Sequence, residues 1–164
     1  MANSNKLQID LSIVIPTFEE ELSINDTLVE IYEVLDKANI NFEILVVDDN
    51  SNDNTQNIVL QLISSFKNIF FLINDKQKGF GNSILKGITE SKGDCIAIMM
   101  ADKSDSVNDL LSYYSIMQSE SDIDCVFGSR WVNGGPKDYP IFKKLINRLG
   151  NKIISLIFST KYND

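Results

Sequence analysis

The chain has 164 residues, 43% of them apolar and 9% aromatic, a composition ordinary for one soluble domain with a core of its own. It contains no histidine, which excludes imidazole metal sites and His-dependent triads and leaves polar chemistry to Asp, Glu, Lys, Arg and Tyr. The formal net charge is −8, yet residues 130–164 carry seven basic and only two acidic side chains; that tail suits an anionic surface, while the acidic remainder argues against nucleic acid.

Leu11–Ile15 is a short apolar run closed by Pro16 and reads as a buried strand entering a loop. Ile24, Leu28, Ile31, Leu35 and Ala38 recur at helical spacing, with Asn25 and Asp26 as candidate caps. Ile44–Val47 is a second strand ending on Asp48 and Asp49, and the turn residues SNDNT lead into a helix faced by Ile58, Leu62, Ile63 and Phe66. Ile69–Ile73 is a third strand. KGFGNS opens a helix expected to present Ile84, Leu85 and Ile88, with Gly93 beyond its end. Cys95–Met100 is a fourth strand, Leu110–Met117 lies within a helix, and Cys125–Phe127 is a fifth strand.

Continuously apolar strands alternating with helices define an α/β fold with a mostly parallel twisted sheet, flanked by helices on both faces. Cys95 and Cys125 stand in two of its strands and are expected to be buried, reduced thiols rather than a zinc site. No apolar run reaches the roughly 18 residues of a membrane span, and MANSNKLQID lacks a signal pattern; a cytoplasmic location is the expectation. From Pro140 onward Phe142, Leu145, Ile146, Leu149, Ile153, Leu156 and Ile157 share one helical face, and Lys143, Lys144, Arg148 and Lys152 the other. Such a helix either packs on the domain with its basic face in water or lies on anionic lipid.

Ligands of open parallel sheets bind at the carboxyl ends of the strands. Glu19, Glu20, Asp48, Asp49, Asp102 and Asp105 all fall there, without matching local bases. These acids either cap the helices that follow, or hold a divalent cation or a ligand's N–H and hydroxyl groups. Lys78 with Gly79 and Gly81 is either a plain loop or an anion cradle before a helix. Arg130, just past a strand end, suits a phosphate, whereas Trp131 reads as packing or a loop anchor.

In order and spacing, LSIVIPTFEEE, FEILVVDDNSNDNT, KGFGNSILKGI, GDCIAIMMADKSDS and VFGSRWVNGG resemble the inverting family 2 glycosyltransferases of the GT-A fold, in the branch similar to dolichol-phosphate and polyprenyl-phosphate sugar synthases. The resemblance runs from Leu11 to about Gly135. It implies a nucleotide-sugar-binding domain over residues 1–135, followed by the basic helical tail, 136–164, which stops short of the remaining acceptor region. It also implies that Pro16, Phe18 and Glu20 cradle base and ribose, with Phe18 in place of the usual Tyr. Asp48 and Asp49 match the acidic pair whose second member accepts from the base, and Lys78 adds positive charge to the nucleotide site. Asp102 matches the last acid of the Asp-x-Asp motif that holds Mg²⁺ or Mn²⁺ on the diphosphate. Met100 stands where the preceding acid is usual, and a thioether is a poor ligand for such a cation, so Asp105 is the candidate replacement. Asp102 and Arg130 are the expected catalytic residues.

The implied activity is transfer of a hexose from a UDP- or GDP-sugar to a lipid phosphate by an enzyme peripheral to the inner face of the membrane. Self-association or binding of anionic vesicles through the tail is expected. The rival readings are transfer to a sugar hydroxyl and nucleotide binding without turnover.

Overall fold

The computed structural model describes residues 8–128 together with Gly150 and Lys152. The chain divides into two units, Met1–Ile123 and Asp124–Asp164. In the first, β1 (Leu11–Thr17), α1 (Ile24–Lys37), β2 (Phe42–Asp48), α2 (Thr55–Ser65), β3 (Ile69–Ile73), α3 (Phe80–Glu90), β4 (Cys95–Ile98) and α4 (Val107–Ser119) follow one another. The described strands form one parallel sheet in the order β3-β2-β1-β4, as expected for alternating strands and helices.

Position in the sheet explains burial. Every residue of the central strands β1 and β2 is buried, whereas in β3 only Ile69 is buried and in β4 no residue is, the rest of both being half-buried or exposed. Leu11, Ile13, Ile15, Ile44, Val46 and Ile69 share one face with Ile24, Leu28, Ile31 and Leu35 of α1, Val59 of α2 and Leu110 of α4. Each such side chain contributes about 1.5–3 kcal/mol of burial. The opposite face presents Val14, Leu45 and Val47, against which α3 packs. It also carries Glu43, fully buried, which accepts from Ser12 Oγ and Lys92 N at 2.7 Å each, while its Oε2 has no partner among the described residues.

Several expectations need correction. Residues 125–127 form no strand: the second unit has no helix or strand between 124 and 128, because three apolar residues do not of themselves fix an extended pairing. Cys125 is accordingly exposed and Cys95, on the edge strand, half-buried. Ser23, not Asn25 or Asp26, occupies the N-cap of α1, and Ala38 is the exposed C-cap. The fourth strand ends at Ile98, two residues early. In α3 the buried residues are Ser83 and Gly87, while Leu85 and Ile88 are exposed. A Cβ on Gly87 would lie 2.2 Å from Val14 Cγ1, so α3 approaches the sheet through its small residues and its large ones flank the contact.

Candidate functional site

The loops leaving the carboxyl ends of the four strands carry the candidate residues. The loop after β1 is fastened to the loop after β2 by a ladder of backbone and side-chain bonds. Glu19 N donates to Ser51 Oγ (2.9 Å), Glu20 N to Thr55 Oγ1 (2.9 Å) and Glu21 N to Asp53 Oδ2 (3.1 Å), and Asn54 N returns to Glu21 Oε2 (2.9 Å). Glu19 sits at φ 57°, a left-handed conformation uncommon for a residue with a side chain. Glu20 accepts from Ser23 Oγ at 2.6 Å through one carboxylate oxygen. Pro16 lies within β1, buried and in register with Val47, so it shapes the strand end and offers no surface to a ligand.

Asp48 and Asp49 point to different tasks. Asp48 is buried and accepts from Ser51 N (2.9 Å), Ser51 Oγ (2.5 Å) and Thr17 Oγ1 (3.4 Å), which fits the capping reading of the acids. Asp49, 9% exposed, accepts from Asn74 Nδ2 at 2.6 Å on one oxygen and from Gly79 N at 2.8 Å on the other. A carboxylate offers about four lone-pair sites, so Asp49 braces the next loop and retains capacity for a further donor. That loop, 74–79, brings Lys78 across: its Nζ lies 4.8 Å from the centroid of the exposed Phe18 ring and 3.4 Å from Asn50 O. Phe18, Asp49 and Lys78, three residues singled out from sequence, are thus gathered in one cluster.

Asp102 and Asp105 occupy the loop after β4, on the other side of β1 from that cluster. Thr27 Oγ1 of α1 fixes this loop by donating to Ala101 O at 2.7 Å. Both acids are exposed. Asp102 Oδ1 accepts from Ser104 N at 2.9 Å, and hydrogen bonding from the Ser104 hydroxyl, and after it from the Ser104 N–H, holds the Asp102 carboxyl below the usual carboxylate range. Asp105 Oδ2 accepts from Met100 N at 2.8 Å. Asp105 Oδ1 has no partner among the described residues, and exposed carboxylates of this kind are hard-oxygen donors compatible with a hard divalent cation. No group of three or more acidic or thiol side chains able to hold a metal exists among the described residues. Lys103, at φ 62°, pairs with Glu30 at 2.9 Å, and that bond raises its pKa.

Arg130, Trp131 and the basic tail apart from Gly150 and Lys152 lie outside the described residues. Sequence reasoning missed Asn74, Ser51, Thr55 and Thr27, which hold the loops together; Asn74 had one available signal, a polar residue immediately after a strand, the same position as Asp49.

The fold and this arrangement define a class, the GT-A glycosyltransferase fold with its ligand-bearing loops on one edge of a parallel sheet. A family model described as Glycosyl transferase family 2 matches residues 12–161, and the chain belongs to that family. It is 31% identical over 141 residues to the dolichol-phosphate mannosyltransferase of Pyrococcus furiosus, covering 84% of this chain and 38% of that one. It is 28% identical over 162 residues to a dolichyl-phosphate beta-glucosyltransferase of Trichomonas vaginalis, covering 93% and 50%. The chain thus spans half or less of the length of these curated relatives. Among solved structures, mannosyl-3-phosphoglycerate synthase from Rubrobacter xylanophilus shares the fold, with a TM-score of 0.51 and 20% identity over 60% of this chain and 32% of that one.

Proposed function

We propose that this chain is the nucleotide-sugar-binding part of a glycosyltransferase that moves a hexose from a UDP- or GDP-sugar to a polyprenyl phosphate. The observation that carries the reading is the cluster of Phe18, Asp49 and Lys78, with the Asp102–Asp105 loop at the same carboxyl end of the sheet but across β1 from it, in a chain whose relatives bear dolichol-phosphate transferase names. In this reading the Phe18 ring stacks on the base, Asp49 accepts from it, Glu20 faces the ribose, and Lys78 leaves Phe18 to meet the phosphates. Asp102 and Asp105 hold Mg²⁺ or Mn²⁺, which when bound supplies charge neutralisation to the leaving diphosphate. Arg130 adds a guanidinium to the same diphosphate. A phosphate acceptor is already ionised at neutral pH, so catalysis rests on positioning rather than on a strong base, in keeping with a chain that lacks histidine. The acceptor places the protein at the inner membrane face, through the basic tail. No helix among the described residues is long and apolar enough to cross a membrane.

Calorimetric titration of UDP and GDP, with and without Mn²⁺, followed by hexose transfer to a polyprenyl phosphate, tests the reading. Asp49→Asn leaves one carbonyl oxygen to serve donors that now occupy two, and should weaken nucleotide binding by about 1–3 kcal/mol. Unchanged affinity removes Asp49 from the site. Binding without transfer favours a nucleotide-binding module, and transfer to a sugar hydroxyl alone changes the acceptor class.

A further inference from the structure

The loop between β3 and α3 reads Asn-Asp-Lys-Gln-Lys-Gly from Asn74 to Gly79. It contains no apolar residue that could anchor it by burial. Asn74 is nevertheless 2% exposed, and its polar groups make five bonds. Its N–H donates to Asp48 O (2.8 Å) and its carbonyl accepts from Asn50 Nδ2 (3.1 Å). Its side-chain Nδ2 donates to Asp49 Oδ1 (2.6 Å) and Gln77 O (3.3 Å), and its Oδ1 accepts from Lys76 N (3.1 Å). Asp49 completes the circuit by accepting from Gly79 N on its other oxygen. The loop is therefore closed at both ends on one carboxylate, and Lys78 stands between the closures. Asn82 Nδ2 to Gln77 O (2.7 Å) and the Lys86–Asp75 ion pair (3.6 Å) tether the middle, but neither reaches Asp49.

We infer that Asn74 is a positioning residue of the nucleotide site: its amide orients the Asp49 carboxylate so that Gly79 is captured and Lys78 is delivered over Phe18. The inference rests on the nucleotide reading of that cluster. Burying an amide between two backbone groups and a carboxylate fixes its orientation, since any rotation strands a buried donor or acceptor. Alanine removes the Asp49 Oδ1 contact outright. Aspartate sets a second carboxylate against Asp49 and repels it.

Two measurements on the full chain test this. Hydrogen exchange at the Gly79 amide should accelerate in Asn74→Ala and Asn74→Asp, while exchange at Val46 in the core stays at the wild-type rate. In calorimetry Asn74→Ala should weaken UDP or GDP by about tenfold or more, the equivalent of one charge-assisted hydrogen bond. A double-mutant cycle with Lys78→Ala separates positioning from general destabilisation: the loss caused by Asn74→Ala should be smaller in the absence of Lys78 than in its presence. Additive losses across the cycle, or an unchanged Gly79 exchange rate in a wild type that binds nucleotide, overturn the positioning role alone. Faster Gly79 exchange in a chain that binds neither UDP nor GDP overturns the nucleotide reading, and with it the proposed role.

Discussion

Gly87→Ala asks whether the contact between α3 and the sheet is as close as the structure has it. In an exposed helix the change would stabilise by about 0.5–1 kcal/mol, because glycine loses more backbone freedom on folding. Here the added Cβ would meet Val14 Cγ1 at 2.2 Å, Cγ2 at 3.0 Å and Cβ at 3.2 Å. Val14 is fully buried on β1, in the middle of the sheet and paired on both sides. A β-branched side chain in a strand has little χ1 freedom with which to retreat, so α3 must lift. Overpacking of this kind costs about 1–3 kcal/mol, and a Cβ 2.2 Å from Val14 Cγ1 sits at the upper end, so after the helix gain the net loss should be about 2 kcal/mol. In urea, with a slope of about 1–3 kcal/mol/M, the midpoint should fall by about half a molar or more with the slope unchanged. Val14→Ala deletes the two methyl groups involved, so the double variant should be more stable than the sum of the single losses by about 0.5–3 kcal/mol. The lift should also disturb the Gly79–Asp49 bond at the start of α3, weakening nucleotide binding beyond what stability alone explains. A Gly87→Ala protein as stable as wild type would show that the helix does not sit this close.

Asp102→Ala should abolish the Mn²⁺-dependent part of diphosphate affinity and Asp105→Ala should reduce it; if metal dependence survives Asp105→Ala in calorimetry, that carboxylate serves only to hold Met100 N. Ser104→Ala should move the Asp102 titration, followed by the side-chain carboxyl carbon in NMR, upward toward the ordinary value. Because the folded pKa is depressed, the associated stabilisation is present above the unfolded carboxylate pKa of about 3.9 and lost as pH falls through the lower folded value; an unmoved titration refutes Ser104 as the cause. Glu43→Gln keeps an acceptor for Ser12 and Lys92 N while giving the unpartnered position a neutral group, so it should match wild type in urea midpoint, whereas Glu43→Ala should lose about 1–3 kcal/mol; equal loss in both variants would mean that the charge itself is required.

Much of the fold was legible because a few patterns have one physical solution. The apolar runs Leu11–Ile15 and Ile44–Val47 read as buried strands, and the spacing of Ile24, Leu28, Ile31 and Leu35 as one helix face; all of these are buried. α3 defeated the same reasoning. Its large residues Leu85 and Ile88 suggested the buried face, yet the closest approach is made where side chains are smallest, at Ser83 and Gly87, a choice that periodicity alone does not reveal. Cys125–Phe127 failed for the opposite reason, since a short apolar run specifies a strand only when a partner strand receives it. In the site, Phe18, Asp49 and Lys78 were named from sequence and are found together, but the links among them were not. Asn74 is one polar residue in a polar loop, and only its place directly after β3, the position Asp49 holds after β2, sets it apart from Gln77 or Asp75.

The crowd of acids at one sheet edge posed a choice between caps and ligands, and the structure divides them by burial. Asp48 and Asp49 are nearly inaccessible, and both oxygens of each accept from neutral N–H or O–H donors. Such donors stabilise a carboxylate without a paired cation, which is why the first loops tolerate acids with so few bases among them. Their work is to fix where the backbone of 50–55 and 74–79 runs. Asp102 and Asp105 are exposed and each spends one oxygen on a nearby N–H, which orients the carboxylate at small entropic cost. Under the proposed function the internally bonded loops would seat the base, and the exposed loop after β4 would offer hard ligands for the ion that accompanies the phosphates. The same division makes the two halves separately testable, because loss of Asp49 should weaken nucleotide with or without Mn²⁺, whereas loss of Asp102 should matter only when the metal is present.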